Sequence, residues 1–499
     1  MTENTMPAGA SQARLIGALA QALRRRGREV ELFETHISTV LVAPPDAYKF
    51  KKPLRFDFLD FSTLEARRFY CEEEVRLNRR LAPQLYLGVA AIGGGARQPV
   101  IDQTGEQADA PLEYAVAMRA FSQQALWSER IARRLLGADE IDDLARLLAR
   151  FHGAAPRAPL ESAWGGIDVL RKTGDDNLVL LDALARDDDE KHEIAVLRHW
   201  QDARRRALAT RFGQRKADGF VRECHGDLHS ANILTQGGEV AAFDCIEFNE
   251  SLRWIDVIND LAFICMDLEF HGLHALAARL RNGYLEEGGD YEGAALLRYY
   301  QTELALVRWK INWLRARSQD AGPEAPACEA LAARYRAYAL QTMRPGRAAL
   351  VITHGLSGSG KSTLARILVE LCGAVRIRSD VERKRLYGAA PDGTGAAPPA
   401  NELYGAQASA ATYARLRALA AQLLQAGLPV IVDATFLQRA RRHDFAALAD
   451  ALGVPFFILD IRAGADTLRA RLIERARRGN DASDAGVEVL ERQLGVDEG

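Results

Sequence analysis

Cys224-His225-Gly226-Asp227-Leu228-His229-Ser230-Ala231-Asn232-Ile233-Leu234, followed by Phe243-Asp244, is the stretch on which the fold of the first part of this 499-residue chain turns. Asp227 and Asn232 reproduce the spacing D-x-x-x-x-N of a phosphoryl-transfer loop, which sets an acceptor-facing carboxylate and a metal-facing amide on one side. The turn Gln236-Gly237-Gly238 and the strand Val240-Ala241-Ala242-Phe243 then deliver Asp244, where a second metal ligand belongs. About 130 residues further on, Gly355-Leu356-Ser357-Gly358-Ser359-Gly360-Lys361-Ser362-Thr363 is a full G-x-x-x-x-G-K-[ST] phosphate loop. The two are solutions on unrelated folds to one problem, holding a nucleotide triphosphate and its metal, so two nucleotide sites are expected.

Outward from these motifs, length and composition set limits. A chain this long exceeds one compact core. Its 48% hydrophobic and 26% charged residues are those of a globular protein. A formal net charge of -2 gives no overall attraction to nucleic acid or an anionic membrane, so neither is an expected partner. The six cysteines (Cys71, Cys224, Cys245, Cys265, Cys328, Cys372) contain no C-x-x-C pair, which points to a reducing compartment and away from a cysteine zinc site. No apolar run reaches the ~20 residues of a membrane span. Arg14 and Arg24-Arg25-Arg26 argue against a signal peptide, leaving Leu15 to Leu23 as an amphipathic helix and a cytoplasmic location as the expectation.

Strands are expected at Thr39–Val42 and Ala47–Lys51 around the turn Pro44-Pro45-Asp46, then a helix over Leu64–Leu81. Helical periodicity dominates from Ile131 to Trp200 and from Trp254 to Tyr338. Arg344-Pro345-Gly346-Arg347 reads as the main boundary, with Ala321–Pro326 a loop inside the helical region. Beyond the boundary, Ala349–Thr353, Val375–Ile377, Val430–Val432 and Phe456–Leu459 alternate with helices, the pattern of a parallel sheet with right-handed crossovers. The domain plan is thus an N-terminal helix over 1–29, a first domain over 30–343, a linker over 344–347 and a P-loop domain over 348–499. Gly393-Thr394-Gly395 with Pro398-Pro399 marks a loop in the second half.

The first motif set resembles the aminoglycoside phosphotransferase and choline kinase superfamily, which shares the protein-kinase fold, over roughly residues 30 to 340. The resemblance implies a small β-rich lobe plus a helical lobe, ATP as donor and magnesium. It makes Asp227 the catalytic base and Asn232 and Asp244 the metal ligands, with His225 bracing the loop. Trp254-Ile255-Asp256-Val257 resembles the later Asp motif that supports the loop, and Asp260 competes for that role. Ala47-Tyr48-Lys49 resembles the strand of the phosphate-binding lysine. Alternation puts Lys49 and Lys51 on one face, so both stay candidates, while Lys52 points away. The lysine should pair with a helix glutamate, for which Glu73 is preferred and Glu74 and Glu72 are alternatives. Thr35–Thr39 stands where a glycine-rich loop would be. Asp267, Glu269 and the acidic run 187–190 could face a polycationic acceptor, the run reading more simply as a solvated helix face.

The second set reads as a kinase. Backbone amides of Gly355, Ser357, Gly358, Ser359, Gly360, Lys361, Ser362 and Thr363 converge on phosphate at a helix N-terminus; Lys361 reaches the outer phosphates and Ser362 ligates Mg2+. Arg378-Ser379-Asp380-Val381-Glu382-Arg383 resembles the acceptor motif of polynucleotide kinases and zeta-toxin-like kinases, making Asp380 the group that activates the acceptor and Arg383 an anion contact. Asp380 could equally cap its helix. Asp433 ends its strand as a magnesium-binding acid would. Arg471, Arg475 and Arg478 share one helix face, suited to a lid donating charge to the transferring phosphate. The chain stops at Glu498-Gly499, so four strands are expected without the fifth strand and adenine-contacting segment of those relatives.

The expectation is an ATP-dependent kinase with two nucleotide sites, acting on hydroxyl groups of small polar acceptors. The alternatives are that the P-loop half senses nucleotide without turnover, or that the chain phosphorylates nucleic-acid 5'-hydroxyls through a groove near Arg383, Lys384 and Arg385.

Overall fold

A computed structural model describes residues 8–56, 59–95, 98–102, 111–318, 322–388, 405–478 and 486–499. The loop expected around Gly393 and Pro398 lies outside them. The chain divides into two compact units, Met1–Leu136 with Ala154–Leu170 and Ala209–Asp260, and Gly137–Gly153 with Arg171–Leu208 and Leu261–Gly499.

The first unit is built on an antiparallel sheet whose described strands run in the order Glu31–Glu34, Ser38–Ala43, Asp46–Lys51, Glu113–Arg119, Tyr86–Gly95, Gln98–Asp102. Period-2 alternation divides strand Asp46–Lys51 between two layers. Tyr48 and Phe50 face the N-terminal helix Ala8–Arg25, joining Leu15, Ile16, Leu19 and Leu23 in one core. Ala47 faces the other way, into a core with Cys71 and Val75 of helix Leu64–Asn78. Lys49 and Lys51 share that second face and so lie against the same helix. Thr63 caps this helix, its hydroxyl accepting from the Ala66 amide at 3.1 Å. The catalytic-type loop is framed by two small antiparallel pairs, Ile233–Gln236 with Glu239–Ala242, and Val221–Glu223 with Trp254–Asp256.

In the second unit, Val375–Arg378, Val430–Asp433, Leu350–His354 and Phe456–Asp460 form, in that order, the parallel sheet expected. Helix Lys361–Cys372 springs from the strand Leu350–His354 through the glycine loop. Helix His274–Gly288, which precedes the 344–347 segment in sequence, packs against helix Lys361–Cys372 and the edge strand Val375–Arg378. Ala278 joins Ala365, Val369, Ala374 and Ile431 in one apolar cluster. The Asn282 side-chain oxygen accepts from the Arg376 amide at 2.6 Å, satisfying a sheet-edge donor that would otherwise be exposed. Helices Leu297–Ala316 and Ala325–Thr342 pack together, with the Thr302 and Thr342 hydroxyls 2.8 Å apart.

No helix among the described residues is long and apolar enough to cross a membrane. All six cysteines are free, and Cys224 and Cys245 are buried core residues whose thiols burial pushes far up.

Candidate active sites

The loop after strand Val221–Glu223 is shaped by one fully buried carboxylate. Asp260 accepts from the backbone amides of His225 (2.7 Å) and Gly226 (2.8 Å). Gly226 sits at φ +86°, and a Cβ there would lie 2.5 Å from the Leu252 carbonyl oxygen, so only glycine fits the turn. The supporting acid is therefore Asp260; Asp256 is taken by Arg215 in a bidentate pair at 2.7 and 2.8 Å. His225 is buried, and that burial lowers its pKa, so the ring stays neutral. Its Nε2–H donates to the Phe243 carbonyl (2.8 Å) while Nδ1 accepts from the Asp227 amide (3.2 Å). One imidazole thus ties the loop to the residue before Asp244, as expected of a brace.

Asp227 and Asn232 come together as the spacing predicts. The Asn232 side-chain NH2 donates to the Asp227 carbonyl (2.9 Å) and to Asp227 Oδ2 (3.2 Å). With that nitrogen committed, Asn232 Oδ1 is the atom left for a cation. Asp244 stands at φ +65°, an unusual left-handed conformation for a non-glycine residue. Its amide donates to the Tyr86 hydroxyl oxygen at 3.2 Å, and its carboxylate pairs with Lys49.

Both strand lysines are used. Lys49 Nζ lies 2.9 Å from Glu74 Oε1 and Lys51 Nζ 2.7 Å from Glu74 Oε2, so one buried carboxylate bridges them. Lys51 also pairs with the buried Glu247, a residue that sequence reasoning missed. Lys52 points away to Glu34 and the Thr35 carbonyl. The preference for Glu73 is corrected. Glu73 pairs with Arg76 on the helix surface at 2.8 Å. The buried stripe of this helix runs through Arg67, Cys71, Glu74 and Asn78, and Glu73 lies one residue, about 100°, off it. Burial opposes ionisation of Glu74, but the two ammonium groups prevail and hold its pKa well below 4.5. Burial lifts Glu247, which the Glu74 charge reinforces. Two lysines face three carboxylates here, a balance that a bound cation would complete. Asn78 closes the cluster: its Oδ1 accepts from the Cys245 amide at 2.9 Å.

Of the acidic residues considered for an acceptor, Asp188 and Asp189 are exposed, as on a solvated helix face, and the others are buried or engaged. Glu269 accepts from Tyr338 (2.6 Å) and Gln301 (3.2 Å), and Asp267 is buried. The 187–190 run opens helix Asp188–Ala217, where Asp187 caps the Glu190 amide at 2.8 Å. Glu190 is buried between Arg186 and Arg336 rather than solvated.

The second site is a cleft of about 860 Å³ lined by the whole run Ser357–Thr363 together with Asp380, Arg383 and Asp433. The loop is glycine-dependent: a Cβ on Gly355 (φ +139°) would lie 2.3 Å from the Ile461 carbonyl oxygen. Gly360, at φ +102°, opens the 12-residue helix Lys361–Cys372. Lys361 Nζ folds back onto the Leu356 carbonyl at 2.7 Å, and the Ser357 amide donates to Gln493 Oε1 at 2.8 Å. The Asp433 Oδ2 atom is buried with no hydrogen-bond partner among the described residues, which suits a cation or its water. Asp380 lies in the first turn of helix Ser379–Leu386 without capping it, because residue 378 is the cap and no side chain fills that role. Arg471 lines the cleft and donates to the Gly358 and Ser359 carbonyls at 3.3 and 3.2 Å. Arg475 and Arg478 fall on the same helix, Ala465–Arg478; their side chains lie outside the described residues. Val489, Arg492 and Gln493, from helix Val487–Leu494, also line the cleft, so the segment after helix Ala465–Arg478 supplies a wall.

Sequence reasoning passed over Arg378 and Glu286. Arg378 lines the cleft, and its NH1 is 3.1 Å from Glu286 of helix His274–Gly288. Glu286 also takes Arg376 at 3.0 Å. Burial works against charge on both partners, but the guanidinia hold Glu286 below its ordinary pKa, and Glu286, Asp433 and Asp380 hold Arg378 well above.

A D-x-x-x-x-N loop braced to a metal-type aspartate beside a lysine–glutamate pair, with a glycine phosphate loop further along the chain, defines an ATP-dependent kinase. The phosphotransferase enzyme family matches residues 70–297, and an AAA domain matches residues 350–498. The chain belongs to one family with a relative that it matches over nearly its whole length. An uncharacterized protein of Mycobacterium tuberculosis (strain ATCC 25618 / H37Rv) is 31% identical over 477 residues, 94% of this chain and 91% of that relative. Among solved structures, a choline/ethanolamine kinase family protein from Mesorhizobium loti covers 66% of this chain and 99% of its own, at 14% identity and a TM-score of 0.37. A gluconokinase from Sinorhizobium meliloti 1021 covers 31% of this chain and 78% of its own, at 23% identity and a TM-score of 0.21.

Proposed function

We propose that the chain transfers the γ-phosphate of ATP at two separate sites to hydroxyl groups of small polar acceptors. The observation that carries this reading is the meeting of Asp227, Asn232, Asp244 and the Lys49–Glu74 pair in one cluster, alongside a complete phosphate loop with its own acids. At the first site, Asp227 orients the acceptor hydroxyl and takes its proton. Lys49, preset by Glu74, neutralises the inner phosphates. Asn232 and Asp244 would hold Mg2+, which would offset the phosphate charge. At the second site, the amides of residues 355–363 and Lys361 cradle the phosphates, and Ser362 and Asp433 would hold the metal. Asp380 receives the acceptor proton, Arg383 grips an anionic group of the acceptor, and the lid arginines Arg471, Arg475 and Arg478 add charge at the transferring group. Both sites act through positioning and electrostatics.

Nucleic acid is not the favoured acceptor. Glu382 is fully buried and pairs with Arg385 and with Arg415, so the basic run 383–385 does not present an open cationic groove.

Equilibrium binding of AMP-PNP with Mg2+ tests the reading. Wild type should bind two equivalents, and Asp244→Ala and Lys361→Ala one each. A single equivalent in wild type, abolished by one variant and untouched by the other, would reduce the protein to one nucleotide site.

A further inference from the structure

Several arginines of the second unit end on carboxylates. Arg279 takes Asp142 and Glu370, Arg336 takes Glu190, and Arg376 and Arg378 share Glu286. One cavity gathers arginines that do not. A pocket of about 740 Å³, separate from the P-loop cleft, is lined by Arg281, Arg298, Arg334 and Arg344. None of the four has a carboxylate within ion-pair distance among the described residues. Three of the guanidinia donate instead to main-chain oxygens: Arg281 to Gly373 at 2.6 Å, Arg298 to Arg344 at 3.0 Å, and Arg334 to Phe270 at 3.0 Å. Arg281 Nε is buried with no hydrogen-bond partner.

The two acids on the wall compensate for four arginines only in part. Glu370 is engaged by Arg279, and Glu269 by Tyr338 and Gln301. Like charges gathered in a partly desolvated cavity repel, and Glu269 offsets them only in part, leaving an excess of guanidinium. Burial first, then Arg204 from outside the pocket, push the Arg298 pKa below its ordinary value, against the opposing pull of Glu269. Guanidinium forks fit the paired oxygens of phosphate or carboxylate. The volume lies within the range of small-molecule sites. The wall is drawn from helix His274–Gly288, from helices Leu297–Ala316 and Ala325–Thr342, and from the end of helix Lys361–Cys372, so a ligand there would clamp elements from both sides of the 344–347 segment.

We propose that this pocket is a third ligand site, taking a multiply charged phosphate-bearing small anion, distinct from both nucleotide sites.

The test is calorimetric titration of inorganic pyrophosphate into the full chain. Wild type should show a binding class that weakens as NaCl is raised. That class should persist in Lys361→Ala and fall about tenfold or more in Arg298→Gln. Arg344 is exposed, so Arg344→Gln should weaken the class without disturbing the fold, which a melting curve without ligand verifies. Arg417→Gln, on an exposed arginine outside the pocket, should change nothing. Loss of all pyrophosphate binding in Lys361→Ala would overturn the proposal, as would undiminished binding in both Arg298→Gln and Arg344→Gln.

Discussion

Replacing Glu74 removes the one carboxylate that two lysines share. Its side chain is fully buried, with Lys49 Nζ at 2.9 Å and Lys51 Nζ at 2.7 Å. Breaking a buried ion pair by deleting one partner typically costs about 3–5 kcal/mol, since the remaining charge is left uncompensated. Lys49 keeps Asp244 and Lys51 keeps Glu247, so Glu74→Gln, which preserves shape and some hydrogen bonding, should fall at or below the low end. Glu74→Ala should reach the full range. Glu73→Gln loses a half-exposed pair with Arg76 and a long contact with Arg253 at 3.9 Å, and should cost about 1 kcal/mol. The effect has a pH signature. The Glu74 pKa is depressed in the folded state, so its stabilisation is fully present above the ordinary value of 4.5 and fades as pH falls below it. The Glu74 charge also helps to raise Glu247, so Glu247 titrates differently in the two proteins and their difference is followed across the whole pH range. The assay is urea unfolding of the two glutamine variants and wild type, repeated from pH 7 downward. A Glu73→Gln loss equal to that of Glu74→Gln, or a Glu74→Gln deficit that stays constant below pH 4.5, would refute the reasoning.

Three further outcomes follow from the geometry. Asp260→Asn should lose about 1–3 kcal/mol in unfolding, because the carboxylate holds two buried amides, and should depress first-site turnover while leaving P-loop nucleotide affinity unchanged. Glu286→Gln should release Arg378 and cut Lys361-dependent phosphotransfer by about tenfold or more, with Asp227-dependent transfer intact; equal loss at both sites would make Glu286 a structural residue only. Gln493→Ala frees the Ser357 amide and should tighten nucleotide at the P-loop by about 2- to 10-fold in a titration, the worth of one neutral hydrogen bond.

Much of this was legible in the chain. Both motifs are contiguous, so their geometry is set by local backbone, and the parallel sheet follows from strands alternating with helices. Strand alternation alone put Lys49 and Lys51 on one face. What failed was contact between elements. Choosing Glu73 over Glu74 requires the rotation of helix Leu64–Asn78 against the sheet, which Cys71 and Asn78 fix through packing, and Leu77 alone misleads by one residue. Asp256 and Asp260 lie one helical turn apart and differ only in which buried donors they meet, Arg215 or the His225 and Gly226 amides. Glu286 precedes Arg378 by 92 residues, and no periodicity links them. Glu247 is an ordinary residue until Lys51 is seen beside it.

The most direct measurement is phosphate transfer from ATP, with Mg2+, to a pooled set of hydroxyl-bearing metabolites and antibiotics by wild type, Asp227→Ala, Lys361→Ala and the double variant. Two independent kinase sites predict that each single variant loses a different set of phosphorylated products and that the double variant loses both. If one variant abolished every product while the other abolished none, the claim of two catalytic sites would be contradicted.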